Sequence, residues 1–158
     1  MSVIDIDLAM AHLLAEPEDQ ILVQAQLDAA EEAAMQFLQR RFFVDQAALE
    51  TARAGVSSRL AAARAAYEAA KLDAEGFDDL GDKCRLLEQA RQRFGDALEA
   101  VDMDAHGIVV NAAITAACLL KLGHLFANRE EVITGTTATE LPLASQSLLM
   151  PYRIRMGV

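Results

Sequence analysis

Residues 108–127 read IVVNAAITAACLLKLGHLFA, a run whose strongly polar members are only Asn111, Lys121 and His124. About twenty apolar residues are enough to cross a bilayer, so the membrane reading has to be met first. A lysine and an asparagine inside the run, and no flanking basic cluster, argue against it. Outside a membrane, a helix apolar nearly all round needs two different surfaces to cover it. The protein's own core supplies one, and a neighbouring subunit is the expected source of the other.

The surrounding composition favours helices. The chain has 158 residues, 31 of them alanine, with 53% hydrophobic and 24% charged residues, 8 Gly, 3 Pro and no Trp. That excludes an intrinsically disordered chain, a collagen-like repeat and a disulfide-stapled miniprotein. Alanine forms helix best and strand poorly, so an all-α fold is expected: a helical bundle in a single domain, residues 1–158. The formal charge of −10 is uneven. Residues 1–39 hold eight acids and no Lys or Arg, a local charge of −8; residues 40–105 carry −3 and residues 106–158 carry +1. An acidic start fits neither a secretory signal nor a transit peptide, so the chain is expected to remain in the cytoplasm where it is made. Cys84 and Cys118 lie far apart within apolar patterns, which predicts small buried hydrophobes rather than a disulfide.

Along the chain, residues 6–14 predict a short helical turn. Glu16, Pro17, Glu18 and Asp19 then open a helix of about six turns, ending at Arg40 and Arg41. Its stripe is Val23, Leu27, Ala30, Ala34, Phe37 and Leu38, with Asp28, Glu31 and Glu32 among the residues between. Residues 45–105 form an Ala-, Arg- and Glu-rich insert with a seven-residue beat. One arm carries Val56, Leu60, Ala63, Tyr67 and Ala70; the other carries Leu80, Cys84, Leu87, Arg91, Phe94, Leu98 and Val101, a beat broken only by Arg91. Joined by the turn-prone residues 76–79, the arms predict an antiparallel helical hairpin whose first arm starts near Ser58, either projecting or packed as an ordinary helix pair. After residue 131, the β-branched stretch 132–141 predicts a β-like loop or hairpin, residues 145–150 a last short helix, and residues 151–155 an extended, weakly basic tail.

Chemistry is sparse. His12, His106 and His124 lack zinc-site spacing and there is no HExxH or Glu-x-x-His pair, so no metal site, cofactor or catalytic residue is expected and the chain is not read as an enzyme. On an apolar helix His124 is expected to be a core or interface residue. Residues 76–83 have the glycine spacing of a phosphate loop but lack its Lys-Ser/Thr ending and carry three aspartates. The hairpin bases Arg53, Arg59, Arg64, Lys71, Lys83, Arg85, Arg91 and Arg93 are interleaved with acids, which suits a solvated helical surface better than a grip on phosphates. The residues by themselves favour a non-enzymatic, oligomer-forming helical protein.

Two stretches carry more. Asp7-Leu8-Ala9-Met10-Ala11-His12-Leu13, the acidic Glu16-Pro17-Glu18-Asp19 and the following helix open the chain. Near the other end come Val110-Asn111-Ala112-Ala113-Ile114, then Gly123-His124-Leu125-Phe126-Ala127-Asn128-Arg129-Glu130, a Thr-rich loop, Glu140-Leu141-Pro142, and Leu148-Leu149-Met150-Pro151-Tyr152-Arg153. In order and spacing this set resembles the small head-tail connector (head completion or adaptor) proteins of long-tailed bacteriophages, over residues 5–44 and 106–156. The resemblance implies a structural protein of the virion's head-tail junction, a homo-oligomeric ring of about twelve copies below the portal protein. Such a ring joins the DNA-filled head to the tail or a head-closure protein, and double-stranded DNA passes through without specific binding. Compact members have only a short connection where residues 45–105 stand. On this footing the expected subunit-interface residues are Asn111, Ile114, Leu122, Asn128, Arg129, Ile133, Thr134, Thr136, Thr137, Thr139 and Glu140. The expected portal-docking residues are Pro151, Tyr152, Arg153, Ile154 and Arg155. Two other readings stand beside it: a coiled-coil adaptor or chaperone-like protein acting through the 56–101 hairpin, and an enzyme using His106 or His124.

Overall fold

A computed structural model describes residues 2–128 and 143–154. In chain order its elements are α1 (Ile6–Leu13), a 3-10 turn at Pro17–Asp19, α2 (Gln20–Leu38), β1 (Phe42–Phe43), α3 (Gln46–Ala54), α4 (Val56–Glu75), α5 (Leu80–Ala105), β2 (Ile108–Val109), α6 (Ala112–Ala127), α7 (Leu143–Leu149) and a 3-10 turn at Met150–Tyr152. The protein is all-α; the strands among the described residues are a single two-residue pair. The β-like segment expected at residues 132–141 lies outside the described residues. The chain divides into two compact units, Met1–Asp45 with Ile108–Val158 in one and Gln46–Gly107 in the other.

In the first unit α2 carries the core. Val23, Leu27, Ala30, Ala34 and Leu38 are buried, as their spacing of three and four requires. Facing them, α6 buries Ile114, Ala117, Cys118, Leu119 and Leu122. The two helices run antiparallel: Gln26 Nε2 donates to the Leu125 carbonyl at 3.2 Å, while Glu31, further along α2, lies near Cys118, earlier on α6. Each fully buried Leu or Ile in this contact contributes about 1.5–3 kcal/mol of transfer free energy. Residues 16–19 do not belong to the long helix. Pro17 opens a separate 3-10 turn, and α2 is therefore 19 residues, shorter than the six turns expected. Likewise the apolar run is not helical from residue 108. Ile108 and Val109 pair in parallel with Phe42 and Phe43, and α6 begins only after Asn111, whose side chain accepts from the amides of Ala113 and Ile114, both at 3.0 Å. This small ladder joins the chain just before residue 46 to the chain just after residue 107.

Glu31 reverses its sequence assignment as a residue between the apolar positions. It is 3% exposed, and its carboxylate accepts from the backbone amides of Val3 at 2.9 Å and Ile4 at 2.8 Å. The N-terminal segment is thereby strapped over the core, with Ile4 buried and Ser2 Oγ accepting from Gln24 Nε2 at 2.8 Å. At the other end, Leu149 is buried and Tyr152 packs against the same core. The tail is not a free extended strand from residue 151. Pro151 and Tyr152 are in a 3-10 turn, Ile154 N donates to the Leu38 carbonyl at 3.3 Å, and the Arg153 guanidinium lies 4.7 Å above the Phe37 ring.

In the second unit α4 and α5 form the expected antiparallel hairpin. Tyr67 stacks on Phe94 with ring centroids 5.0 Å apart, and Arg59 pairs with the buried Asp104. The helical path starts earlier than Ser58: α3 begins at Gln46 and meets α4 across the single residue Gly55. Arg59 holds that joint as well, donating from Nη2 to the Ala52 carbonyl at 2.7 Å. On α5 the buried step is Ala90, not Arg91, which is exposed and lies 3.6 Å from Glu88. Leu80 and Cys84, placed in the stripe by periodicity, are exposed, because α4 ends at Glu75 and leaves little to cover the first turn of α5.

Burial lifts the Glu31 carboxyl above the ordinary glutamate value, the two backbone hydrogen bonds opposing it only in part. An acid whose pKa is raised on folding costs no stability below its unfolded pKa and costs progressively more as pH rises through and above that value. Unfolding by guanidinium across a pH series should therefore show wild type losing stability relative to Glu31→Gln as pH rises from about 4 to about 7. Glu31→Ala, which leaves two buried amides without an acceptor, should cost about 1–3 kcal/mol at neutral pH.

Candidate functional site

Among the described residues the reactive groups stand apart from one another. Among the described residues there is no group of three His, Cys, Asp or Glu placed to hold a metal ion. His12, His106 and His124 are exposed, so of the core or interface position expected for His124 the core one does not hold. His106 Nδ1 lies 2.9 Å from the Asp102 carbonyl at the end of α5, and His124 Nδ1 lies 3.2 Å from Asn128 Nδ2. The glycine-spaced segment 76–83 is the hairpin turn. The start of α5 is capped by the protein's own Asp79 carboxylate, which accepts from Asp82 N at 2.9 Å. Several hairpin bases are engaged internally: Arg53 donates to the carbonyls of Ala105 and Gly107, Arg59 pairs with Asp104, and Lys71 meets Glu68 at 2.9 Å. A shallow depression of about 170 Å³ on the α4–α5 face is floored by alanines around the Tyr67–Phe94 stack, with Arg93 as its one charged wall. It holds no converging polar groups that would orient a small ligand.

The two cysteines differ. Cys118 is fully buried, and burial, reinforced by the nearby Glu31 charge, pushes its thiol up to about 12. Cys84 is exposed on α5, contrary to the buried position expected from its apolar surroundings.

The residues expected at a subunit interface separate into three sets. Ile114 and Leu122 have 0% exposure within the protomer, which corrects their assignment: burial in the core of their own unit leaves them no surface for a second chain. Asn111 and Asn128 spend their side chains as caps of α6, Asn128 Nδ2 donating to the His124 carbonyl at 2.8 Å. Arg129, Ile133, Thr134, Thr136, Thr137, Thr139 and Glu140 lie outside the described residues, as does Arg155 of the docking set. Of the remaining docking residues, Pro151 and Arg153 are exposed while Tyr152 and Ile154 are half-buried.

Apolar surface instead appears at residues the sequence did not assign to an interface. In the first unit the most exposed are Leu14 at 90% and Ile21 at 86%, flanking the turn between α1 and α2; Leu120 on α6 is 45% exposed. In the second unit Leu72, Phe77 and Leu80 are exposed around the hairpin turn. The available signal for Leu14 was a missing glycine: a helix that stops three residues before a proline usually does so at Gly. Searches against protein-family models, curated proteins and solved structures each returned no match for this chain.

Under native conditions a maleimide should label one thiol per chain at Cys84, with Cys118 reacting only after denaturation. Two fast-reacting thiols in mass spectrometry would contradict the burial of Cys118.

Proposed function

We propose that this chain is a structural phage head-tail connector: it assembles as a ring below the portal, joins the head to the tail and lines part of the DNA exit channel. The observation that carries the reading is the division of the chain. The stretches resembling connector proteins, residues 5–44 and 106–156, fall almost wholly within one compact unit, and the departing segment is the other, Gln46–Gly107. The parallel pairing of Phe42–Phe43 with Ile108–Val109 closes the unit at the point where compact connectors have a short link. An insertion there leaves the core of α1, α2, α6 and α7 intact. The net charge of −10 also suits a conduit through which a duplex slides without being gripped.

The partners are then further copies of the chain, the portal protein, and a tail or head-closure protein, at the head-tail junction of the virion. Pro151 and Arg153 remain candidates for portal docking, with Tyr152 anchoring the segment to the core. A second reading, an adaptor or chaperone-like protein acting through the hairpin, is favoured by the exposed Leu72, Phe77 and Leu80.

Electron microscopy of the full-length protein, alone and with purified portal rings, should show closed rings or an added ring beneath the portal. A protein that stays unassembled and leaves the portal bare would reject the connector. A chain in which a short linker replaces residues 46–107 should still form rings if the connector reading holds, and should lose its binding activity if the hairpin is the working part. No gel shift of double-stranded DNA is expected at about 150 mM salt.

A further inference from the structure

Two helices of the first unit end in the same way. At the end of α1, Ala15 N donates to the Met10 carbonyl and Leu14 N to the Ala11 carbonyl; at the end of α2, Arg40 N donates to Met35 and Gln39 N to Gln36. Each is a paired closing motif whose central residue adopts the left-handed backbone, with φ 52° at Leu14 and φ 57° at Gln39, a place normally held by glycine. Gln39 has a local reason to stand there, since its Nε2 donates to the Gln36 carbonyl at 2.9 Å. Leu14 has none: its side chain is 90% exposed, in a conformation that disfavours it. Glycine would serve the fold better on both counts. A residue that breaks two local rules at once marks a place to look for a role that its own protomer does not supply.

The surroundings define what can cover it. Ile21 stands exposed across the turn, the acids of that turn are Glu16, Glu18 and Asp19, and residues 1–39 contain no Lys or Arg. The complement is an apolar face with a cation and no acid. This same unit carries one. The described residues from 108 onward include no Asp or Glu, and α6 exposes Leu120 and Lys121, with His124 one turn further along. We infer that the Leu14–Ile21 corner of one copy docks on the Leu120–Lys121–His124 face of α6 in a second copy. Two different faces of one chain make a heterologous contact, which repeats from copy to copy and can close a ring. The inference rests on the connector reading for its biological setting and goes beyond it by assigning the surfaces. Leu14 and Ile21 supply the buried anchors, and the opposite charges set orientation and encounter rate.

The test is sedimentation of the full-length chain over a concentration series, with thermal unfolding in parallel. Leu14→Gly should weaken self-association about ten-fold or more while leaving Tm equal or higher, because glycine relieves the left-handed position. Lys121→Glu and Glu18→Lys should each weaken it several-fold, and the double reversal should recover most of the loss. Self-association unchanged in Leu14→Gly and Lys121→Glu overturns the inference, and rings still seen on portals would then leave the connector reading standing. A wild-type chain that remains monomeric at every concentration also overturns it. In that case portal binding, measured separately, decides whether the connector reading falls too.

Discussion

The contact on which the first unit depends is α2 against α6, two helices far apart in sequence that meet antiparallel over Val23, Leu27, Ala30 and Leu38 on one side and Ile114, Cys118 and Leu122 on the other. Everything else is arranged around that seam. The N-terminal segment is strapped over it by Glu31, α1 leans on both helices, and the residues after α7 return to the end of α2 through the Leu38 carbonyl. Because the partners lie so far apart along the chain, what stands between them is constrained mainly at its two ends. The β1–β2 pair fixes those ends, and the closure entropy of a loop grows only slowly with its length. A self-contained helical unit can therefore occupy residues 46–107 at small thermodynamic cost to the host.

Among the described residues each unit has one buried carboxylate, and the two are satisfied differently. Asp104 is matched by the Arg59 guanidinium, which also holds the α3–α4 joint, so one cation ties three helices of the hairpin unit. Glu31 has backbone amides as its partners and bears the desolvation cost as a raised pKa. In both places the polar group fixes a register that apolar burial alone would leave loose. An alanine-rich interface has few large side chains to specify alignment, and the Tyr67–Phe94 stack together with Arg59–Asp104 sets it in the hairpin.

On the outside, departures from local rules are more informative than patterns. Leu in a left-handed, solvent-facing position costs about 1 kcal/mol or more relative to glycine and returns nothing within the protomer. Leu72 and Leu80 near the hairpin turn are also solvent-facing, though in ordinary helical backbone. These positions, together with the exposed Leu120–Lys121 face of α6 rather than its buried side, are where the molecule has surface to offer a partner.

The helices themselves were legible in the sequence. The spacing of α2's apolar positions, the glycine and aspartates at the hairpin turn, and the alanine content predict a long helix over most of residues 16–41, two helical arms around residues 76–79 and an all-α fold, since these are local preferences of backbone and side chain; the separate α3 at Gln46–Ala54 was not among them. Which face of each helix is covered was not, because coverage depends on the neighbour. A helix apolar on all sides, α6, gives no periodic signal to separate core from surface, so Ile114 and Leu122 read as interface residues until the core of their own unit was seen to enclose them. The same lack misplaced Cys84 and read Glu31 as a residue between the apolar positions. Its burial follows from two amides on a segment 27 residues earlier in the chain, a pairing that only the tertiary fold brings together.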